Sequence, residues 1–388
     1  MSAIISGMGV ISAAGRDLIQ TLNAFGRGRR NAGPPSLFPT TLPYPVFEAD
    51  GLASGARGGR RGRTLRLALH AVRAALRDSG LPGDLSGLRV GVCLGSTVSC
   101  QFNDLGFYTR FRKSGRGPMA PVDRYLGGEL GAAVSRVFKA FGPSFTVANA
   151  CSSGTDAIGA ALSWLEGGVC DIAIAGGADE LSRVPYSGFG ALSVLSDALC
   201  RPFDRDRAGL NLGEGAGVLV LETEESARRR GRKPELVLGG FGAACDAHHL
   251  TAPRPDGSGL EAALRKALAR ANADPSEVCF VNAHGTATRD NDSVEAAVLC
   301  RVFGRSVKFF STKGYTGHTL GAAGGLEAAF TAAGLREGWI PPSAGFENPD
   351  PGIPITPVAE RTGFRGRFAV STSLAFGGNN AALVIGYA

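Results

Sequence analysis

Short apolar runs alternate along this chain with stretches of helical periodicity, and this alternation constrains the fold more than any other feature. In the first part of the chain the strand candidates are residues 3–10, 88–94, 145–150, 171–175 and 217–222. In the second part they are residues 236–241, 278–282, 307–311, 368–372 and 381–386. Continuous apolar strands separated by helices predict an α/β fold with largely buried sheets.

The two parts of the chain repeat one pattern, which suggests an internal duplication. Residues 145–162 and 307–330 each contain a strand candidate, a loop of small residues with a reactive side chain, and an Ala/Gly-rich helix candidate. The joint lies near residues 227–234, where arginines and a lysine crowd around a Gly and a Pro. We expect two similar halves, residues 1–230 with a nucleophilic cysteine and residues 231–388 with the other reactive groups, and a site where they meet.

Composition and charge exclude several classes of protein. The 388 residues are 44% hydrophobic and 19% charged, as in a soluble globular protein. The net charge of +7 favours an acidic partner, but it is moderate and aromatics make up only 7%, which argues against nucleic-acid binding. No segment approaches the roughly 18 apolar residues that span a bilayer. We expect no membrane span and no nucleic-acid partner.

The eight cysteines indicate a reduced, cytoplasmic protein. They form no C-x-x-C pair, and several lie in apolar runs, such as Cys93 and Cys279, where a thiol behaves as a small hydrophobic group. The adjacent His248 and His249 would point to opposite faces of a strand. We therefore expect no metal site.

Cys151 differs from the other cysteines because it lies at a predicted turn between a strand and a helix. Strand candidate 145–150 precedes it and helix-like residues 154–166 follow it. Unpaired N–H groups and the macrodipole at a helix N-terminus stabilise negative charge. We therefore expect a lowered thiol pKa and a reactive thiolate nucleophile.

Two histidines in separate glycine-rich loops complete the predicted chemistry. His284 lies in the segment NAHGT and His318 in the segment TGHTLG, each after a strand candidate. Their ring N–H groups would donate hydrogen bonds to an oxygen that becomes negative during a reaction. The sequence therefore predicts an enzyme.

Seven segments resemble, in order, those of a known enzyme family. They are ANACSSG at 148–154, RPFD at 201–204, GEGAG at 213–217, NAHGTAT at 282–288, STKG at 311–314, TGH at 316–318 and LAFGGNN at 374–380. Together they resemble the β-ketoacyl-acyl-carrier-protein synthases, the condensing enzymes of type II fatty acid and polyketide synthesis. The match runs nearly end to end.

The resemblance implies a thiolase-like layered αβαβα fold from two duplicated halves, in which two mixed five-stranded sheets lie between helical layers. It also implies a homodimer, or a heterodimer with a ketosynthase-like subunit. A Cys-His-His set is similar to that of the elongating, carrier-protein-dependent synthases, whereas thiolases use a second cysteine and initiating synthases use Cys-His-Asn. The FGGNN ending and Tyr315 resemble ketosynthases of aryl-polyene-type clusters.

In the reaction that the resemblance implies, Cys151 takes an acyl group from a thioester, and malonyl-carrier protein then loses CO₂ and condenses with that group. The backbone N–H groups of Cys151 and Phe376 would stabilise the tetrahedral oxyanion, and His284 and His318 would stabilise the enolate. No cofactor is implied beyond the phosphopantetheine arm of the acyl carrier protein, which carries the substrates.

Four further residues match supporting positions of the family. Lys313 resembles the lysine that holds the hydrogen-bond network and contacts the malonyl carboxylate, and Glu327 matches an acid on the following helix. Thr286 and Thr288 match the threonines that hydrogen-bond the pantetheine arm.

Phe376 resembles the gate between the nucleophile and the malonyl side, with Gly377 and Gly378 allowing the loop to swing. Phe189 is a candidate for the acyl pocket, with core packing as the alternative. Ala375 and Asn379 stand where many elongating synthases have Gly and Thr, and these departures bear on the gate's flexibility.

A basic cluster at a predicted helix is a candidate docking patch for the acidic carrier protein. Residues 64–78 have apolar residues at helical spacing and a basic stripe on the opposite face. Alternatively, the cluster is a run of solvent-exposed charges that binds no partner. The patch residues are Arg60, Arg61, Arg63 and Arg66.

Two functions of other classes stay open at this point. One is a non-catalytic partner subunit that sets chain length in a heterodimer, although such subunits generally lack the nucleophile. The other is a Cys/His thioester hydrolase, which would need water access and a base poised for it.

Overall fold

A computed structural model describes residues 2–52, 62–97, 105–119 and 129–388. The strands of the first part are β1 (Ala3–Ser12), β2 (Val90–Gly95), β3 (Ser144–Val147), β4 (Ile172–Asp179) and β5 (Gly215–Glu222). The helices are α1 (Leu18–Gly26), α2 (Arg63–Ser79), α3 (Leu105–Ser114), α4 (Leu130–Phe138), α5 (Ser153–Glu166), α6 (Arg183–Ala191) and α7 (Glu224–Arg229).

The second part repeats the alternation. Its strands are β6 (Leu236–Cys245), β7 (Val278–Asn282), β8 (Phe309–Phe310), β9 (Trp339–Ile340), β10 (Thr362–Gly363), β11 (Phe368–Ala375) and β12 (Asn379–Tyr387). Its helices are α8 (Ser258–Ala271), α9 (Arg289–Phe303), α10 (Lys313–Thr316) and α11 (Ala323–Glu337). All the strands predicted from apolar runs are present, with ends that differ by a few residues, and the helix predicted at 64–78 is α2.

Within the described residues, ten strands form one mixed sheet in the order β3-β2-β4-β5-β1-β6-β12-β11-β7-β8. In the first part β3, β2 and β4 are parallel, and β5 and β1 then pair antiparallel. Read from the other edge, β8, β7 and β11 are parallel, and β12 and β6 then pair antiparallel. This repeated pattern supports the proposed duplication.

The two five-stranded units are continuous rather than separate. They join where β1 pairs with β6 through Ala3 opposite Leu238 and Ile4 opposite Val237. Because only the ends of these two strands pair, the units diverge beyond the join and leave room for helices between them.

Helices cover both faces of each unit. On the outside, α2 packs against β1 and β5, and α8 packs against β6 and β12. Between the units, α5 contacts β2 and β4 as well as β6 and β12, and α11 contacts β4 and β5 as well as β11 and β12. The layered αβαβα architecture predicted from the sequence is therefore confirmed.

Alternate residues of each strand enter different cores. In β5, Val218 and Val220 pack in the outer core with α2, whereas Leu219 and Leu221 pack in the central core with α5 and α11. Burial on both faces explains why these strands are apolar without interruption. No helix in the described parts of the chain is long and apolar enough to cross a membrane.

Glycines let the central helices approach the sheet at backbone distance. A Cβ at Gly217 of β5 would lie 2.2 Å from the backbone nitrogen of Leu326 in α11. A Cβ at Gly154 of α5 would lie 2.8 Å from the carbonyl oxygen of Gly321 and 2.8 Å from the nitrogen of Gly325. These contacts fix the positions of α5 and α11, whose N-termini border the loops described below.

We expect Gly217→Ala to destabilise the protein by about 1–3 kcal/mol, because the added methyl group displaces the backbone of α11. Urea unfolding monitored by circular dichroism measures this change. Gly83→Ala is the matched control, since a Cβ there meets nothing within 4 Å, and we expect a change of at most about 0.5 kcal/mol. Equal stability of the two variants would contradict the close approach of β5 and α11.

Candidate active site

The nucleophile turn connects β3 to α5 and holds Cys151 in a buried position, with 4% of the residue exposed. Ala150 has φ +48°, a left-handed conformation that costs energy for a residue with a side chain. Its carbonyl oxygen accepts hydrogen bonds from Ser153 Oγ at 2.6 Å and from Thr97 Oγ1 at 3.2 Å. The strained turn is therefore held from two sides, next to the N-terminus of α5.

The loop after β7 holds His284. Its backbone is anchored by the buried carboxylate of Glu295 on α9, which accepts from His284 N and from Gly285 N, both at 2.8 Å. Gly285 has φ +40°, and a Cβ there would lie 2.6 Å from the Cβ of Ser311. The glycine is therefore needed for the histidine loop to turn against the loop after β8.

Lys313 sets the tautomer of His284. Its Nζ lies 3.1 Å from His284 Nδ1 and 2.6 Å from the His284 carbonyl oxygen, and it forms a buried ion pair with Glu327. An ammonium group only donates hydrogen bonds, so Nδ1 accepts and the ring proton is on Nε2.

His318 has the same tautomer for a different reason. The backbone N–H of Leu320 donates to His318 Nδ1 at 3.0 Å, so the ring proton is again on Nε2. Leu320 itself has φ +54°, a left-handed conformation that is uncommon for a residue with a side chain. The two imidazole rings lie 5.2 Å apart between centroids and are nearly perpendicular.

Both histidines are neutral at physiological pH. Burial lowers the pKa of His284 and of His318 well below 6.5, and the positive charge of Lys313 lowers both further. Two neutral imidazoles with Nε2–H groups are hydrogen-bond donors that need no change of protonation to stabilise an oxyanion.

One pocket brings the predicted groups together. The side chains that line it include those of the predicted nucleophile, the two histidines, both threonines, the gate and the acyl-pocket candidate. These residues are Cys151, His284, His318, Thr286, Thr288, Phe376 and Phe189.

The thiol pKa differs from the sequence-based expectation. Burial raises the pKa of Cys151 to about 11, and the opposing effects of the Lys313 charge and the Phe376 backbone N–H are smaller. The prediction of a lowered pKa was wrong, because loss of hydration outweighs the favourable charges nearby.

The predicted gate residues lie beside Cys151. The Phe376 backbone N–H faces the Cys151 sulfur. Gly377 and Gly378 have φ of +84° and +80°, so the turn between β11 and β12 uses a backbone conformation that favours glycine. The ring of Phe376 stacks on that of Phe189 at 5.4 Å between centroids, and Phe189 also lies 6.4 Å from the ring of His318.

Glu327 supports the site from α11 without entering the pocket lining. Burial raises its pKa to about 7, against the lowering effect of Lys313. Its Oε1 pairs with Lys313, and within the described residues its Oε2 has no hydrogen-bond partner. Thr286 and Thr288, on the loop that follows His284, place their hydroxyl oxygens 2.8 Å apart.

The docking patch predicted around α2 is only partly described. Arg60 and Arg61 lie outside the described residues. Arg63 does not fit the predicted docking role. Its side chain is only 11% exposed and pairs with the buried Glu214, so it anchors α2 instead of facing a partner. Arg66 lies on α2 and is half-buried.

Sequence reasoning missed the buried acids behind the site. Glu295 anchors the His284 loop, and Asp292 accepts from Ala287 N at 3.2 Å and from Phe203 N at 2.6 Å. The signal was available: the two acids are three residues apart on α9, on the face that also carries the buried Ala296 and Leu299. A pair of acids on an apolar helix face indicates internal hydrogen bonds.

Sequence comparison identifies the family. Two family models match the chain, the β-ketoacyl synthase N-terminal domain over residues 54–227 and the β-ketoacyl synthase C-terminal domain over residues 236–347. The chain therefore belongs to the β-ketoacyl synthase family.

Curated relatives span almost its whole length. The 3-oxoacyl-[acyl-carrier-protein] synthase 2 of Staphylococcus aureus is 33% identical over 402 residues, covering 98% of this chain and 97% of the relative. The chloroplastic 3-oxoacyl-[acyl-carrier-protein] synthase I of Hordeum vulgare is 32% identical over 407 residues, covering 98% of this chain and 88% of the relative.

Solved structures agree with this assignment. A chain of the ishigamide ketosynthase/chain length factor has a TM-score of 0.92 and 31% identity, covering 99% of this chain and 98% of that one. A β-ketoacyl synthase from Burkholderia phymatum has a TM-score of 0.90 and 31% identity, covering 100% and 99%. The thiolase-like fold expected from the motifs is thus confirmed.

We expect His318→Gln to change how stability depends on pH. The folded-state pKa of His318 lies below its unfolded value of 6.5, so the unfolded chain takes up a proton as the pH falls and the folded chain does not. Below pH 6.5 the wild type should lose stability relative to the variant by about 1.4 kcal/mol per pH unit. Urea unfolding at pH 7 and pH 5.5 measures the difference, and parallel pH dependences would contradict a buried neutral His318.

Proposed function

We propose that this chain is a β-ketoacyl-acyl-carrier-protein synthase that condenses malonyl-carrier protein with an acyl chain held on Cys151. The observation that carries this function is a buried thiol that shares one pocket with two neutral imidazoles, each with its proton on Nε2. The family assignment and the names of the curated relatives support the same reaction.

In the first step, Cys151 Sγ attacks an acyl thioester and the pantetheine thiol leaves. The tetrahedral oxyanion forms beside the backbone N–H groups of Cys151 and Phe376, at the N-terminus of α5, where partial positive charge stabilises it. The thiol proton of Cys151 ends on the departing pantetheine sulfur, so the step leaves an acyl-cysteine and a free thiol.

In the second step, the malonyl thioester loses CO₂ and becomes an enolate. The Nε2–H groups of His284 and His318 donate to the enolate oxygen, which holds the negative charge in the transition state. The enolate carbon attacks the acyl carbon, the Cys151 sulfur leaves and takes up a proton from solvent, and the product is a β-ketoacyl-carrier protein.

Lys313 acts through His284 in this proposal. Its ammonium group has three donors, and three acceptors surround it: His284 Nδ1, the His284 carbonyl oxygen and Glu327. The predicted contact between Lys313 and the malonyl carboxylate would have to replace one of these bonds. We therefore assign Lys313 the task of fixing the tautomer of His284, with Glu327 compensating its charge.

The remaining pocket residues receive binding roles. Thr286 and Thr288 present paired hydroxyl groups to the pantetheine arm, whose amides need hydrogen bonds. Phe189 and Phe376 form a stacked aromatic wall over the acyl side, and Gly377 and Gly378 allow the Phe376 loop to move when a substrate enters.

The two alternatives fit less well. A non-catalytic chain-length subunit has no need for a nucleophile, and here Cys151 lies on a strained, doubly anchored turn. A thioester hydrolase needs a base that activates water, whereas both ring Nδ1 atoms are occupied as hydrogen-bond acceptors and both Nε2 atoms carry protons.

We propose an acyl carrier protein as the partner that delivers both substrates, and a reducing, cytoplasmic setting. The seven cysteines of the described residues are all free, which fits such a setting. The structure of a relative from Xenorhabdus doucetiae, 30% identical with a TM-score of 0.83, covering 100% of this chain and 98% of that one, is titled a ketosynthase in complex with its chain length factor. A homodimer or a similar heterodimer is therefore the proposed assembly.

Cys151→Ala should abolish condensation, because no acyl-enzyme can form. The assay incubates acyl-carrier protein and malonyl-carrier protein with the enzyme and measures β-ketoacyl products by mass spectrometry. His284→Ala should lower the rate by about 10²–10³ through loss of one oxyanion donor. Cys93→Ala is the control, since Cys93 is a buried thiol of β2 outside the pocket lining. Product formation by Cys151→Ala at the wild-type rate would refute the assignment.

The edge of the sheet supports the proposed dimer. Among the residues that the structure describes, β3 has a neighbouring strand on one side only; Phe145 in this strand and Phe141 just before it are 54% and 74% exposed. An unpaired edge strand with exposed aromatic side chains is suited to pairing with a second chain.

Phe145→Glu should therefore shift the protein toward the monomer, because a charge at the edge opposes burial of that strand. Sedimentation velocity measures the oligomeric state. Ile19→Glu is the matched control, since Ile19 on α1 is also an exposed apolar side chain, and it should behave as the wild type. Dimers of equal stability in both variants would place the interface elsewhere.

A further inference from the structure

We propose that Asp179 is a positioning residue whose carboxylate ties the loop after β2 and the turn after His318 to the end of β4, and thereby holds the nucleophile turn and the reactive tautomer of His318 in register. This inference rests on the proposed function, because one of its measurements is the decarboxylation step.

Asp179 is the last residue of β4 and is fully buried. Its Oδ1 accepts from Ser96 Oγ at 2.6 Å. Its Oδ2 accepts from Thr97 N at 2.8 Å and from Gly321 N at 2.7 Å. One side chain thus joins three segments that are distant along the chain.

The bond to Gly321 leads to His318. Gly321 follows Leu320, whose N–H donates to His318 Nδ1 and whose φ is +54°. A non-glycine residue in this conformation persists only where its surroundings hold it. Asp179 supplies such a restraint, because it fixes the peptide next to the one that sets the His318 tautomer.

The bond to Thr97 leads to Cys151. While its N–H donates to Asp179, Thr97 Oγ1 donates to the carbonyl oxygen of Ala150, which has φ +48°. Asp179 therefore restrains the nucleophile turn through one intermediate residue. It also acts on the thiol by charge, since its carboxylate is among the groups that raise the pKa of Cys151.

The junction between the loop after β2, the turn after His318 and the end of β4 is also tightly packed. A Cβ at Gly321 would lie 2.6 Å from Thr97 N and 2.8 Å from Asp179 Oδ2. The carboxylate and the two loops are in direct contact, so a smaller side chain at position 179 leaves a gap and two buried N–H groups without an acceptor.

Two substitutions separate the positioning role of the Asp179 side chain from the effect of its charge. Asp179→Ala removes both, whereas Asp179→Asn loses the charge but keeps an oxygen that can accept from Thr97 N and Gly321 N, while its amide group donates to Ser96 Oγ where the carboxylate accepted from it. We expect Asp179→Ala to slow CO₂ release from malonyl-carrier protein by about tenfold to a hundredfold, as displaced catalytic groups do. Asp179→Asn should stay near the wild-type rate.

A second measurement responds to charge alone. The rate at which iodoacetamide alkylates Cys151, followed by mass spectrometry against pH, should shift to lower pH in Asp179→Asn, because the nearby negative charge is gone. Asp171→Ala is the control, since Asp171 lies just before the opposite end of β4 and pairs with Arg89. Its decarboxylation rate and its alkylation profile should both match those of the wild type.

Each outcome has one meaning. A wild-type protein that releases no CO₂ refutes the proposed function, and the alkylation profile of Asp179→Asn then still tests whether the carboxylate acts on the Cys151 thiol. If the wild type is active, a folded Asp179→Ala variant with the wild-type rate overturns the positioning role, as does an Asp179→Asn variant as slow as Asp179→Ala. If Asp179→Ala fails to fold, Ser96→Ala takes its place, because it removes one of the three donors to Asp179. The proposal is then overturned if Ser96→Ala releases CO₂ at the wild-type rate and the alkylation profile of Asp179→Asn is unshifted.

Discussion

The arrangement of the site depends on one buried cation, the ammonium group of Lys313. A charge removed from water costs several kcal/mol unless it is paired and hydrogen-bonded. Here Glu327 supplies the opposite charge and His284 supplies two neutral acceptors. Because Lys313 is on α10, Glu327 on α11 and His284 after β7, satisfying this cation brings three segments of the second half together.

The same cation determines what the histidines can do. Its positive charge adds to burial in keeping both imidazoles neutral, and its hydrogen bond to Nδ1 keeps the proton of His284 on Nε2. A histidine that titrated near neutral pH would act as an acid or a base. These two instead act as fixed donors, which suits an enolate oxygen better than it suits the activation of water. The burial that favours such donors also raises the pKa of Cys151, so its thiol form is the stable one at neutral pH.

The sequence predicted the order of strands and helices and the residues of the pocket because both depend on local signals. Apolar runs such as those of β4 and β5 identify buried strands, and the motifs around Cys151, His284 and His318 place each reactive group in a loop. The pKa of Cys151 could not be predicted this way, because it depends on burial by residues from both halves. Arg63 shows the same limit: in the sequence it is one arginine of a basic cluster, and only the fold reveals Glu214, 151 residues away, as its partner. Glu295 was missed although its place on the apolar face of α9 indicated a buried role. Asp179 was missed because its importance lies in the backbone N–H groups that it accepts from, and no motif displays those.

The repeated strand order explains why the site forms at the carboxyl ends of the parallel strands. In parallel strands the loops that follow the carboxyl ends lie on the same side of the sheet. In the first half β2, β3 and β4 lead to Thr97, Cys151 and Asp179, and in the second half β7, β8 and β11 lead to His284, Lys313 and Phe376. The corresponding loops have diverged: the turn after β3 carries a nucleophile, whereas the turn after β8 carries a cation and then a donor. The fold therefore presents two sets of loops to one pocket, and the close contact of α5 and α11 through glycines fixes the two sets relative to each other.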